Sequence, residues 1–77
     1  MIERVLIHSG PSEECGCPEE LWRVGSLEAL MHLEENGNGH IIIDAGDWEL
    51  ERDVTTTGIE DLRRQAFAMI DALPVEA

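Results

Sequence analysis

The sequence has no lysine and no tyrosine, and only one phenylalanine and two tryptophans in 77 residues. With so few aromatics, the core has to rest on Ile, Leu, Val, Ala and Met, where each missing methylene is felt. The five basic residues are all arginine and stand against 17 Asp and Glu, a formal charge of −12 with the three histidines neutral. A surface this negative repels nucleic acid and anionic lipid and attracts basic partners with a salt-dependent force, so direct nucleic-acid binding is not expected. No apolar run approaches the roughly 20 residues that span a bilayer, and Met-Ile-Glu-Arg lacks the basic-then-apolar layout of a secretion signal. No membrane association and a cytoplasmic location are expected. Two cysteines one residue apart, Cys15 and Cys17, cannot staple distant parts of the chain and fit a reducing compartment.

What is present fits a folded protein: 43% hydrophobic and 29% charged residues are ordinary for a globular chain. Residues 1–77 are expected to form one domain, which at this length removes roughly 60% of the unfolded surface from water. Ile2 to His8 reads as a first strand stopped at Ser9-Gly10-Pro11, and residues 9 to 19 as an exposed loop. Glu20 to Val24 alternates as a short strand, although Pro18 followed by two Glu would equally open a helix turn. Ser26 precedes Leu27 to Glu35, where Leu27, Leu30 and Met31 share a helical face and Asn36-Gly37 supplies the stop, predicting a helix. His40 to Asp44 and Trp48 to Val54 read as a hairpin around Ala45-Gly46, with Trp48 in the core. Thr57-Gly-Ile-Glu60 matches a capping box opening a helix that runs to about Ala72. Its core stripe is Ile59, Leu62, Ala66, Met69, Ile70 and Leu73, its outward face includes Asp61, Arg63, Arg64 and Asp71, and Pro74 closes it. The expected fold is α+β, a four-stranded, mainly antiparallel sheet with two helices packed on one face in the order ββαββα.

The second hairpin strand places Asp47, Glu49, Glu51 and Asp53 at every other position. At about 3.4 Å per residue, same-face side chains stand about 6.8 Å apart, an anionic ladder comparable to a row of DNA phosphates. Such alternation is also what the solvated face of any antiparallel strand gives. Further acids at Glu13-Glu14, Glu19-Glu20, Glu34-Glu35 and Glu60-Asp61 tip the balance, because a merely soluble surface mixes charge signs. Aligned like charges self-repel, so the ladder weakens folding slightly unless neighbours such as Arg52 and Arg4 relieve it, and its retention calls for a reason.

Other chemistry finds less support. Cys15-Gly-Cys17 and the histidines offer zinc-type ligands, but paired zinc cysteines normally have two or more residues between them and a second pair elsewhere. Glu13, Glu14 and Glu19 would raise a thiol pKa and disfavour redox catalysis. No EF-hand order, phosphate loop or nucleophile-histidine spacing is present, so neither cofactor, metal nor catalytic residue is expected.

In its short length, its charge, its α+β order and the acidic run Asp47-Trp-Glu-Leu-Glu-Arg-Asp53, the chain resembles the small acidic anti-CRISPR proteins of phages and mobile elements, most of all a type I-C inhibitor. The resemblance implies a bacterial host cell as location and the CRISPR surveillance complex, Cascade, as the basic partner, blocked by occupation of its DNA channel. The expectation is a non-enzymatic, monomeric DNA mimic. Asp47, Glu49, Glu51 and Asp53, aided by Glu13, Glu14, Glu34 and Glu35, would contact the partner. The alternatives are a metal-binding or thiol-redox module built on Cys15 and Cys17, and an acidic regulatory partner such as an antitoxin.

Overall fold

Five strands and one helix follow one another along the chain: β1 (Arg4–Pro11), β2 (Pro18–Val24), β3 (Leu27–Leu33), β4 (Asn38–Asp44), β5 (Glu49–Thr55) and α1 (Ile59–Asp71). The computed structural model describes residues 3–13 and 16–73. Each strand pairs antiparallel with its successor, so the sheet order is β1-β2-β3-β4-β5, with β1 and β5 at the edges. Among the described residues, no helix is long and apolar enough to cross a membrane.

The expected four strands and two helices are therefore corrected to five strands and one helix, because residues 27–33 form a strand. Leu27, Ala29, Met31 and Leu33 alternate and face the helix, while Glu28, Leu30 and His32 face the other way. Leu27, Leu30 and Met31 satisfy a helical period equally well, but a nine-residue helix is marginal by itself, whereas this segment gains ladders on both sides. Ser26 is not a helix cap. Gly25 and Ser26 form a two-residue turn between the paired Val24 and Leu27, with Gly25 at φ 63°, the left-handed value that the first centre of a type II′ hairpin turn requires. Gly37, at φ 82°, lies in the turn from β3 to β4 and does not end a helix.

The core lies between one sheet face and α1. Ala29, Met31, Ile41, Ile43, Leu62 and Ala66 are fully buried, with Val24 and Ile70 nearly so. The predicted helical stripe is present: Leu62, Ala66 and Ile70 are buried, and Ile59, Met69 and Leu73 pack at its margins. Trp48 corrects the expectation of a core residue, being 45% exposed. The ladder's last pair is Asp44 with Glu49, which leaves Trp48 in the turn beyond the layer that the helix covers. Trp22 instead joins the core margin, its ring edge-on to Phe67 at 5.3 Å.

Polar contacts lock the helix to the sheet. Glu20, 5% exposed, takes two hydrogen bonds from Arg63, at 2.7 and 2.6 Å, and one from Trp22 Nε1 at 2.8 Å. Arg63 therefore points to the sheet and not outward as expected. Arg4 lies 4.4 Å from the Phe67 ring centre and 3.7 Å from the Asp71 carboxylate. The expected Thr57–Glu60 capping box is replaced by Thr56 and Asp61: Asp61 Oδ2 accepts from the Thr56 hydroxyl at 3.0 Å and from Gln65 Nε2 at 2.8 Å, and Asp61 Oδ1 accepts from Arg64. Pro74, expected to close the helix, lies outside the described residues.

Candidate functional site

Because α1 covers one sheet face, the described residues leave the opposite face open. Register and alternation fix its composition in three rows running across the strands. One row is Val5, Arg23, Glu28, Asp44 and Glu49; the next is His8, Leu21, Leu30, Ile42 and Glu51; the third is Gly10, Glu19, His32, His40 and Asp53. At about 4.8 Å per strand, each row spans about 19 Å. The centre of the face is apolar at Leu21, Leu30 and Ile42, and its flanks carry carboxylates.

The arginines are segregated from those carboxylates. Arg23 stands on the open face, whereas Arg4, Arg63 and Arg64 pair with Asp71, Glu20 and Asp61 on the helix side. Arg52 lies opposite Ile41, on the helix-facing side of β5. Arg4 and Arg52 thus do not relieve the ladder's self-repulsion. His40 stands among the carboxylates, its Nδ1 2.6 Å from Asp53 Oδ1 and its Nε2 3.8 Å from Glu51 Oε2. His8 Nε2 is 3.7 Å from Glu19 Oε1. All three histidines stand on this face, a grouping the sequence signals through alternation once 27–33 is read as a strand.

The predicted partner-contacting residues distribute unevenly. Glu49, Glu51 and Asp53 form a continuous exposed edge on β5, and Asp47 continues it into the preceding turn. Glu49 feels its neighbours: its carboxyl is pushed above the ordinary value, first by a hydrogen bond shared with Glu51, then by desolvation and by the charges of Glu51 and Asp44. Glu34 sits half-buried near His40 and Asp53, and Glu35 and Glu13 are exposed in turns at that end of the sheet. Glu14 and Cys15 lie outside the described residues. Cys17 is buried, and Glu60 and Asp61 belong to the helix side. Asp61 is held at about 2, chiefly by its hydrogen bonds from Gln65, Arg64 and Thr56, so it is committed to the fold. The sequence reading left Glu28 and Asp44 out of the ladder, whose face they share through the β3–β4–β5 register.

Searches against protein-family models, curated proteins and solved structures find no match to this chain.

Proposed function

We propose that the open sheet face is a docking surface for a basic groove, and that the protein acts as a non-enzymatic inhibitor by occupying that groove in place of nucleic acid. The observation that carries this reading is charge segregation: Glu28, Asp44, Glu49, Glu51 and Asp53 share a face on which Arg23 is the one arginine among the described residues. The like-charge pressure on Glu49 supports it, since carboxylates crowded without counter-ions gain most when a cationic partner arrives. Arginines of a groove would donate to these carboxylate oxygens in charge-assisted, orientation-fixing bonds, and the long-range field would speed encounter. The resemblance to anti-CRISPR proteins nominates the DNA channel of a type I-C surveillance complex as the groove.

The test is the anisotropy of labelled target DNA binding to the purified surveillance complex while this protein is titrated in. Competitive inhibition is expected, with the apparent DNA affinity falling in proportion to inhibitor concentration. Glu49→Gln with Glu51→Gln should weaken inhibition at least about tenfold, or about 1.4 kcal/mol, with the fold intact. Full inhibition by that double variant, or inhibition that saturating DNA cannot reverse, refutes mimicry by this face.

A further inference from the structure

Where β3 turns into β4, the fold gathers ligand-type atoms from three separated stretches of chain. One atom from each of Glu34, His40 and Asp53 lies within 4.8 Å of the others. His32 is the direct cross-strand partner of His40, which puts a second imidazole on the same face. The row holding these residues, from Gly10 through Glu19, His32 and His40 to Asp53, contains no arginine to compete for the carboxylates.

The geometry points to a binding site for a divalent first-row transition ion of zinc-like preference, held by His40, Glu34 and Asp53, with His32 beside it on the neighbouring strand. This set shares no residue with the cysteine pair that the sequence offered as a metal module. Imidazole nitrogen and carboxylate oxygen bind zinc at about 2.0–2.2 Å, so ligand atoms in a tetrahedral shell stand about 3.3 Å apart. Three atoms already within 4.8 Å reach that spacing by small side-chain rotations. The 2.6 Å contact between His40 Nδ1 and Asp53 marks where a proton now bridges nitrogen and oxygen, and the ion takes that proton's place as it moves to Nε2 or to solvent. Two carboxylates offset the ion's charge, and water can complete the shell on this solvent-facing side.

The imidazole of His40 distinguishes this site from the rest of the acidic ladder, with which it shares Asp53. Mg²⁺ and Ca²⁺ prefer all-oxygen shells, so bare carboxylates such as Glu49 and Glu51 would hold any divalent ion loosely, whereas imidazole favours transition ions.

The full chain is titrated with Zn²⁺ alone, and separately with Mg²⁺, near neutral pH in a non-chelating buffer. Calorimetry reads stoichiometry and affinity, and NMR of the imidazole ring protons reads the location. The expected result is one Zn²⁺ per chain, with the His32 and His40 signals moving together up to one equivalent while His8, across the sheet on β1, stays in place. His40→Ala and Asp53→Asn should each weaken Zn²⁺ binding by about tenfold or more, Cys15→Ser should leave it unchanged, and excess Mg²⁺ should not displace the ion. The ring-proton experiment uses the unaltered chain, so it decides even if a variant folds poorly. Binding that never saturates, that Mg²⁺ displaces, that shifts all three histidines alike, or that is abolished by Cys15→Ser overturns the proposal.

Discussion

Glu20 shows how a buried charge is made tolerable at the scale of one residue. Its carboxylate is nearly removed from water, yet three hydrogen bonds, two of them from the bidentate Arg63 guanidinium, occupy its oxygens, and Arg63, ahead of the opposing desolvation, holds its pKa below the usual value. Glu20→Gln is expected to cost about 2 kcal/mol by urea denaturation, since hydrogen bonds to charged groups contribute about 1.5–3 kcal/mol and Arg63 loses its counter-ion. Adding Arg63→Met should recover part of that loss, because the two groups are coupled. The pH dependence follows from the direction of each shift. Glu20 and Asp61 both have depressed folded-state values, Asp61 at about 2, so their stabilisation is complete above the unfolded carboxylate pKa of about 4. It is lost as pH falls through the depressed values, for Asp61 at about 2. Glu49 has the opposite sign: its raised value makes the ionised form unfavourable in the folded state, a penalty relieved as acid protonates it. Glu49→Gln should therefore raise Tm at neutral pH, with the advantage disappearing below about pH 4 as the native carboxyl takes up its proton.

Elements are held in register by contacts with no slack, and Gly39 in β4 is the tightest. A Cβ at that position would overlap Leu62 Cδ1 and lie 3.0 Å from Cδ2, and Leu62 is fully buried under α1. Gly39→Ala is thus expected to destabilise by about 1–3 kcal/mol through overpacking, although alanine in a strand interior would otherwise be the better residue. The cost should shrink in a Leu62→Ala background, where the side chain that must move is gone; thermal melts of the four proteins check this non-additivity. Nothing in the sequence marks Gly39, because close approach between a strand and a helix some twenty residues later leaves no local signal. The hairpin of β4 and β5 and the apolar stripe of α1 were legible, since a β-branched run and an acid-apolar alternation flanking Ala45-Gly46 mark one and the 3.6-residue period marks the other. Residues 27–33 satisfied both periods. The Gly25-Ser26 pair between Val24 and Leu27 was the available signal for a hairpin, and it was outweighed by serine's role as a helix cap. The same misreading concealed the open face. With a helix at 27–35, Glu28 and His32 have no fixed place beside Asp44 and His40, so the ladder on β5 could be read but the rows across the sheet could not.

At the scale of the whole molecule, charge opposes folding and favours association, and salt separates the two effects. The protein measures 39 × 22 × 22 Å and carries a formal −12. At 0.01 M salt the Debye length, about 30 Å, covers most of that length, so carboxylates on every element repel one another; at 1 M it is about 3 Å, shorter than the roughly 6.8 Å step along β5. Tm should therefore climb as NaCl is added, most steeply at the low end. The Glu49→Gln, Glu51→Gln variant should climb less, because part of the repulsion is already gone. Over the same range, affinity for a basic groove should fall, since the field that draws the partner in is the one being screened. A single NaCl series, followed by calorimetric melting and by inhibition of DNA binding, reads both slopes. Opposite signs are what a working surface of unneutralised carboxylates requires. A Tm indifferent to salt would mean that the histidines and Arg23 already balance the open face, and a partner would then have little charge there to bind.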